Sequence, residues 1–343
     1  MTRKIKEIPY LSRNKVLIKK EDKVAKRVIM WTIMNLKFLI LPSSHSKDLL
    51  KAQKENESII SQKRGLRRYK SPMFIIGVSI IILISTIAIF QDWLSPYTYL
   101  ETIAYTGIDQ FYQSYFPPSP QHPLGQTFVG YDILGRIIYG TRPVLLFALI
   151  STLLATILGV VLGALSGYYE GWFDVAIMRV MDIVLSFPGV IFAIVFITIL
   201  GKSFYILLII YSLIGMPYFA RLVRTSVLKE KELPYVTSGK VSGAKSLRII
   251  FRHILPNSTL PIIVAVSFNI ARNILSLAVL GFLRYGGTGW IEWGFDIARA
   301  INNFYKAPWA VLYPSLMISI SVIGFLLIGD SLSDFRLIGQ EFL

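Results

Sequence analysis

Four polar residues stand where they are costly: Asn269, Arg272, Asn273 and Ser276, spaced i, i+3, i+4 and i+7 inside the apolar run Ile254–Leu280. That spacing puts them on one helical face. A charged side chain near the centre of a bilayer costs about 2.5–3.5 kcal/mol on insertion scales, so such residues face a bundle interior or water. The chemistry on offer is a polar lining for a translocation pathway. A buried interhelical hydrogen-bond cluster, with Arg272 snorkelling to the outer interface, is the competing reading. Catalytic groupings do not stand out. His45, His122 and His253 lie far apart without metal-ligand spacing, and the chain has no cysteine. Gly201-Lys202-Ser203 looks like the end of a phosphate-binding loop, but Phe196 holds the position of its first glycine. No cofactor and no metal are expected, and any ATP would be bound by another polypeptide. Arg179 and Asp182, three apart, are expected to pair with each other.

The second constellation lies in the polar segment Arg221–His253, which carries eight Lys/Arg and two Glu. Its centre runs from Tyr235 through Thr237, Ser238, Gly239 and Lys240 to Gly243 and Ala244. Small residues at 237–239 and 242–244 predict a short helix of low profile. Such a helix can seat in a groove on a partner, and glycine allows a sharp exit.

The elements that must position these residues are membrane spans. Of 343 residues, 54% are hydrophobic and 16% charged, and the apolar residues come in long runs. About 20 apolar residues of helix cross a bilayer core. The runs are Met73–Phe90, Pro143–Gly167, Val175–Leu200, Ser203–Ala220, Ile254–Leu280 and Pro308–Gly329, which predicts an all-α polytopic bundle of about six spans. Small residues at Ser151, Ala155, Gly159, Gly163 and Gly167 form a stripe for close helix packing. Pro188, Pro217, Pro256 and Pro261 remove backbone donors and allow kinks.

Charge sets the expected orientation. Residues 1–72 hold 19 Lys/Arg against 6 Asp/Glu, most of the chain's net +16. That block is read as a basic cytoplasmic extension held against anionic membrane lipid, not as a nucleic-acid surface. Within it Val28–Leu41 is short for a span and reads as an interfacial or packed helix. Residues 73–343 then form the transmembrane domain, with both termini and Arg221–His253 inside. Tyr168–Asp174 fits poorly, since this inner turn carries Glu170 and Asp174 but no base.

The same residues carry a family resemblance. The loop resembles the "EAA" loop of ABC importer permeases: Gly243 and Ile254-Leu255-Pro256 match, while Thr237-Ser238-Gly239 stand at the E-A-A positions without the acid. His122-Pro123-Leu124-Gly125 with Gly130-Tyr131-Asp132-Ile133-Leu134-Gly135-Arg136 is similar to the pattern before the second span in the dipeptide/oligopeptide permease family, C-type subunit. Gly167–Asp174, Met178–Asp182, Phe187-Pro188, Ala220–Arg224 and Leu326–Leu332 also look like that family. The resemblance covers residues 73–343. It implies a type I importer fold and a cell-membrane subunit that is not itself an enzyme, carrying peptides, with oligosaccharide or nickel cargo as alternatives. Its implied partners are a second permease subunit in a heterodimer, two ATP-binding subunits and an extracellular substrate-binding protein. Tyr235, Thr237, Ser238, Gly239, Lys240, Gly243 and Ala244 would then couple to the ATPase. An ion-coupled secondary transporter is the alternative of a different class; its expected mark is an acid within a span, and the one candidate, Asp182, has Arg179 nearby.

Overall fold

A computed structural model describes residues 71–103, 115–286 and 289–333. The basic extension with its apolar stretch Val28–Leu41, and the end of the chain beyond residue 333, lie outside the described residues. All described residues fall in one compact unit, Arg68–Leu343. They form thirteen α-helices: α1 Pro72–Ile89, α2 Gln91–Leu94, α3 Tyr99–Ile103, α4 Ile133–Tyr169, α5 Gly171–Leu185, α6 Gly189–Leu200, α7 Phe204–Lys231, α8 Pro234–Val241, α9 Ser246–Ile249, α10 Leu255–Asn257, α11 Thr259–Phe282, α12 Trp293–Ala300 and α13 Trp309–Ser333. Five of these, α1, α4, α7, α11 and α13, are long and apolar enough to cross a membrane. The bent pair α5–α6 makes a sixth if it counts as one span.

Where the helices depart from the apolar runs, local chemistry explains the shift. Helix α4 begins at Ile133, ten residues before Pro143, because the Asp132 side chain caps it by accepting from the Gly135 N–H at 2.6 Å. Pro143 lies inside it, and the helix tolerates the missing donor. The expected third span is not one rod: α5 and α6 meet at 84°. Pro188 sits extended at the break, at φ −56° and ψ 125°, where it cannot donate and disfavours helix in the residue before it. Helix α7 runs on past the apolar run to Lys231, because Arg221–Lys231 holds helix-tolerant residues and neither glycine nor proline. The basic run after α9 is a π-helical turn over Ile250–Ile254, so α11 starts only at Thr259.

The core is the pairing of α4 with α7, the most extensive helix contact among the described residues. The stripe of small residues on α4 makes it possible. Ser151, Ala155, Gly159, Gly163 and Gly167 are all buried. A Cβ at Gly163 would collide with the Ala220 backbone of α7, and one at Gly167 would lie 2.8 Å from the Arg224 carbonyl. Without a hydrophobic drive between helices in lipid, such close backbone approach supplies the dispersion that holds them together. Around this pair, α11 packs on α13 and α4, and α1 packs on α13.

Candidate functional site

Two regions of the molecule concentrate polar chemistry, and α11 joins them. At 24 residues it is about 36 Å long, so its ends mark opposite ends of the bundle.

The first region is the loop at the α8 end. Helix α8 is held by three anchors. The Tyr235 hydroxyl donates to Glu230 at 2.6 Å, and Asn257 Nδ2 donates to the Tyr235 oxygen at 3.2 Å. Lys240 lies over the Tyr168 ring at the end of α4, 5.5 Å from its centroid. Val236 is buried beneath the helix in a cluster with Val223, Val227, Ile249, Ile250 and Ile254. Burial, then the Glu230 carboxylate, push the Tyr235 phenol up from its ordinary value. The helix ends in a Schellman cap: the Ala244 N–H reaches the Gly239 carbonyl at 3.1 Å and the Gly243 N–H reaches that of Lys240 at 3.0 Å. The cap needs a left-handed residue, and Gly243 supplies it at φ 77°. Tyr235, Thr237, Ser238, Lys240 and Gly243 are exposed, while Gly239 and Ala244 are half-buried. Val241 is 85% exposed. The result is a rigidly mounted helix with an open outer face.

The acids of the neighbouring turn fall into place here. Glu170 pairs with Lys231 at 2.7 Å. Asp174 accepts from two guanidinium nitrogens of Arg224, Nε (at 2.6 Å) and Nη2, and also from Ser166. Bases on the extended α7 therefore neutralise the turn that carries none of its own. Asp182 pairs with Arg221 at 2.6 Å, not with Arg179. Helix α7 comes close enough to compete for it, which sequence spacing could not show. A hollow of about 530 Å³ lies among these residues, but its acids are already matched.

The polar stripe on α11 divides. Asn269 and Asn273 are buried and bonded to α4: Asn273 Nδ2 donates to Ser151 at 2.9 Å and Thr152 at 3.0 Å, and Thr152 donates to Asn269 at 3.1 Å. Both Ser151 and Thr152 are likewise buried. Arg272 instead lies on the outer surface of this chain, over the Tyr218 ring of α7 at 5.7 Å, and meets no carboxylate among the described residues. Ser276 is half-buried.

The second region lies at the α12 end, where sequence reasoning missed most of the chemistry. Arg136 and Asp296 form a buried bidentate pair at 2.8 and 2.7 Å, and Arg136 also donates to the Thr102 carbonyl at 2.7 Å. His122 stands 3.0 Å from Asp132, the cap of α4. The motif His122…Asp132…Arg136 thus fastens the segment before α4 and pins α12 to it. Trp293 closes the joint, donating to the Ile137 carbonyl at 3.3 Å. Glu292, at the start of α12, is 3% exposed and neither carboxyl oxygen has a hydrogen-bond partner. Burial, then Asp296, hold its carboxyl well above the usual carboxylate range. An acid beside a tryptophan at a helix start was the available signal, but its depth depends on the return of α11.

Comparison with known proteins decides what carries these two ends. Residues 159–335 match the family of binding-protein-dependent transport system inner membrane components. Residues 65–118 match the N-terminal transmembrane domain of oligopeptide transport permease C. The chain belongs to this permease family. It is a multi-pass membrane component of a binding-protein-dependent ABC transporter, on the C-type dipeptide/oligopeptide branch. The permease is 38% identical over 266 residues to the dipeptide transport system permease protein DppC of Alkalihalophilus pseudofirmus, covering 77% of this chain and 85% of that one. Against the glutathione transport system permease protein GsiD of Pectobacterium atrosepticum it is 37% identical over 259 residues, 75% and 84% of the two chains. Among solved structures, a chain of the inward-facing MetNI methionine ABC transporter aligns over 60% of this permease and 95% of its own length, at a TM-score of 0.48 and 16% identity.

Proposed function

We propose that this permease moves di- and oligopeptides inward across the cell membrane, driven by ATPase subunits that dock on α8. A second permease completes the pore in a heterodimer, two ATP-binding subunits sit below, and an extracellular binding protein delivers cargo above. Both termini and the α8 loop face the cytoplasm, as the basic residues of Arg221–His253 favour. Residues 73–343 form the transmembrane domain and residues 1–72 a basic extension against lipid. The cargo class rests on the dipeptide and glutathione systems to which the relatives belong.

The observation that carries the coupling role is the mounting of α8. Three anchors tie it to α4, α7 and α10, while its outer face is exposed among the described residues. A push on that face passes into α4, α7 and α10, and through α10 into α11. Thr237 stands where the family places an acid, so docking here relies on shape and on Lys240 rather than on that carboxylate. On α11, Arg272 and Ser276 line the path toward the partner permease, and Asn269 and Asn273 hold the helix against α4. The test is ATP hydrolysis by the purified complete transporter, with binding protein and either peptides or oligosaccharides. Stimulation by peptides alone is expected; stimulation by oligosaccharides alone would sink the cargo assignment.

A further inference from the structure

Beside Glu292 a cavity of about 480 Å³ opens at the α12 end, lined by Lys202, Arg284, Arg299, Trp290 and Arg136 among others. Arg136 is committed to Asp296. The other three cations meet no carboxylate among the described residues. Lys202 donates to the Arg284 carbonyl at 2.8 Å and lies over the Tyr285 ring, and Arg299 lies over the Phe295 ring. A carbonyl and an aromatic face hold Lys202, and an aromatic face holds Arg299, without neutralising either. The indole N–H of Trp290 is buried and unpartnered, as are both oxygens of Glu292. Leaving buried polar groups unmade is costly, so a set of them around one cavity marks a place where a ligand completes the bonding.

Arg284 adds an independent sign. Helix α11 ends in the same Schellman pattern as α8: the Tyr285 N–H reaches the Leu280 carbonyl and the Arg284 N–H reaches that of Gly281, both at 2.8 Å. The left-handed position is held here by arginine, at φ 63°. Glycine would take it without strain, whereas an L side chain is disfavoured there. Strain retained beside a cavity points to a use for the side chain.

We propose that this cavity is a carboxylate subsite, receiving the free C-terminal carboxylate of peptide cargo at the outer mouth of the permease. The proposal rests on the peptide reading and orientation given above. Arg284, Arg299 and Lys202 supply the positive field, and the Trp290 N–H supplies a neutral donor. Burial raises the Glu292 carboxyl pKa, which favours the protonated form that can donate its O–H to the incoming carboxylate.

The test is uptake of trialanine and of its C-terminal amide by the complete transporter in proteoliposomes, with the binding protein saturated by each. Arg284→Gly removes the cation and relieves the strain. It is expected to lower free-acid uptake about tenfold, the loss of a charge-assisted hydrogen bond, while amide uptake stays within about twofold and the melting temperature does not fall. Arg299→Gln should repeat that selectivity. Free-acid uptake at the wild-type rate in both variants would overturn the subsite and leave the peptide reading standing. Equal loss for acid and amide would also overturn it, assigning the cations to docking of the binding protein. A wild type that imports neither form would overturn the peptide reading, and the subsite with it.

Discussion

The two ends of α11 solve one backbone problem with opposite residues. Below, α8 closes its Schellman cap with Gly243 at φ 77°; above, α11 closes the same cap with Arg284 at φ 63°. Around Gly243 the polar groups are satisfied within the chain: Tyr235 by Glu230, Glu170 by Lys231, Asp174 by Arg224. What remains open is the exposed face of α8. Around Arg284, three cations meet no carboxylate among the described residues, and an indole N–H and a buried carboxyl have no hydrogen-bond partner there. A surface complete in itself suits a protein partner that pushes on it. An unsatisfied cavity suits a small ligand that enters and leaves.

That contrast can be broken most severely at Arg136–Asp296, the pair that holds α12 beneath the cavity. Asp296→Ala leaves a buried guanidinium unpaired, at a cost of about 3–5 kcal/mol. The expected outcome is loss of the assembled transporter, read as yield and melting temperature in detergent. Gly163→Leu should come next, since it forces α4 from α7 and perturbs both ends at once; its readout is the same melt.

A finer probe exchanges the two caps. Gly243→Ala is expected to destabilise by about 1 kcal/mol, and Arg284→Gly to stabilise by a similar amount. Melts of the two variants shifting in the same direction would show that the caps are not equivalent. Acidity offers a separate check on Glu292. Its folded-state pKa is raised, so its contribution to stability is full below the unfolded value of about 4.3 and is lost as pH rises through the folded one. Glu292→Gln should therefore flatten the decline of melting temperature above about pH 5. An unchanged slope would mean that the carboxyl already finds a partner. Asn273→Leu should have the smallest effect, about 0.6 kcal/mol, as for interhelical hydrogen bonds in membranes, with uptake retained.

Much of the architecture was legible in residue types. Apolar runs located the spans, and the stripe from Ser151 to Gly167 announced the close α4–α7 contact, because both depend on local composition. Gly243 marked a chain exit because left-handed backbone favours glycine. The polar stripe on α11 was read as one face, yet Asn269 and Asn273 turn to α4 while Arg272 does not, a division set by the neighbouring helices. Asp182 pairs with Arg221 across 39 positions, and Glu292 is buried only because the chain returns over it after α11. Pairings of this kind are made by tertiary approach, so spacing along one helix favours the wrong partner.

The coupling role of α8 is tested most directly at Val241, which is 85% exposed among the described residues. In the reconstituted transporter, Val241→Asp is predicted to raise the ATP hydrolysed per peptide imported by about tenfold, as expected for loss of a central interface contact, with the melting temperature unchanged. An unchanged ratio in a correctly assembled complex would contradict the account.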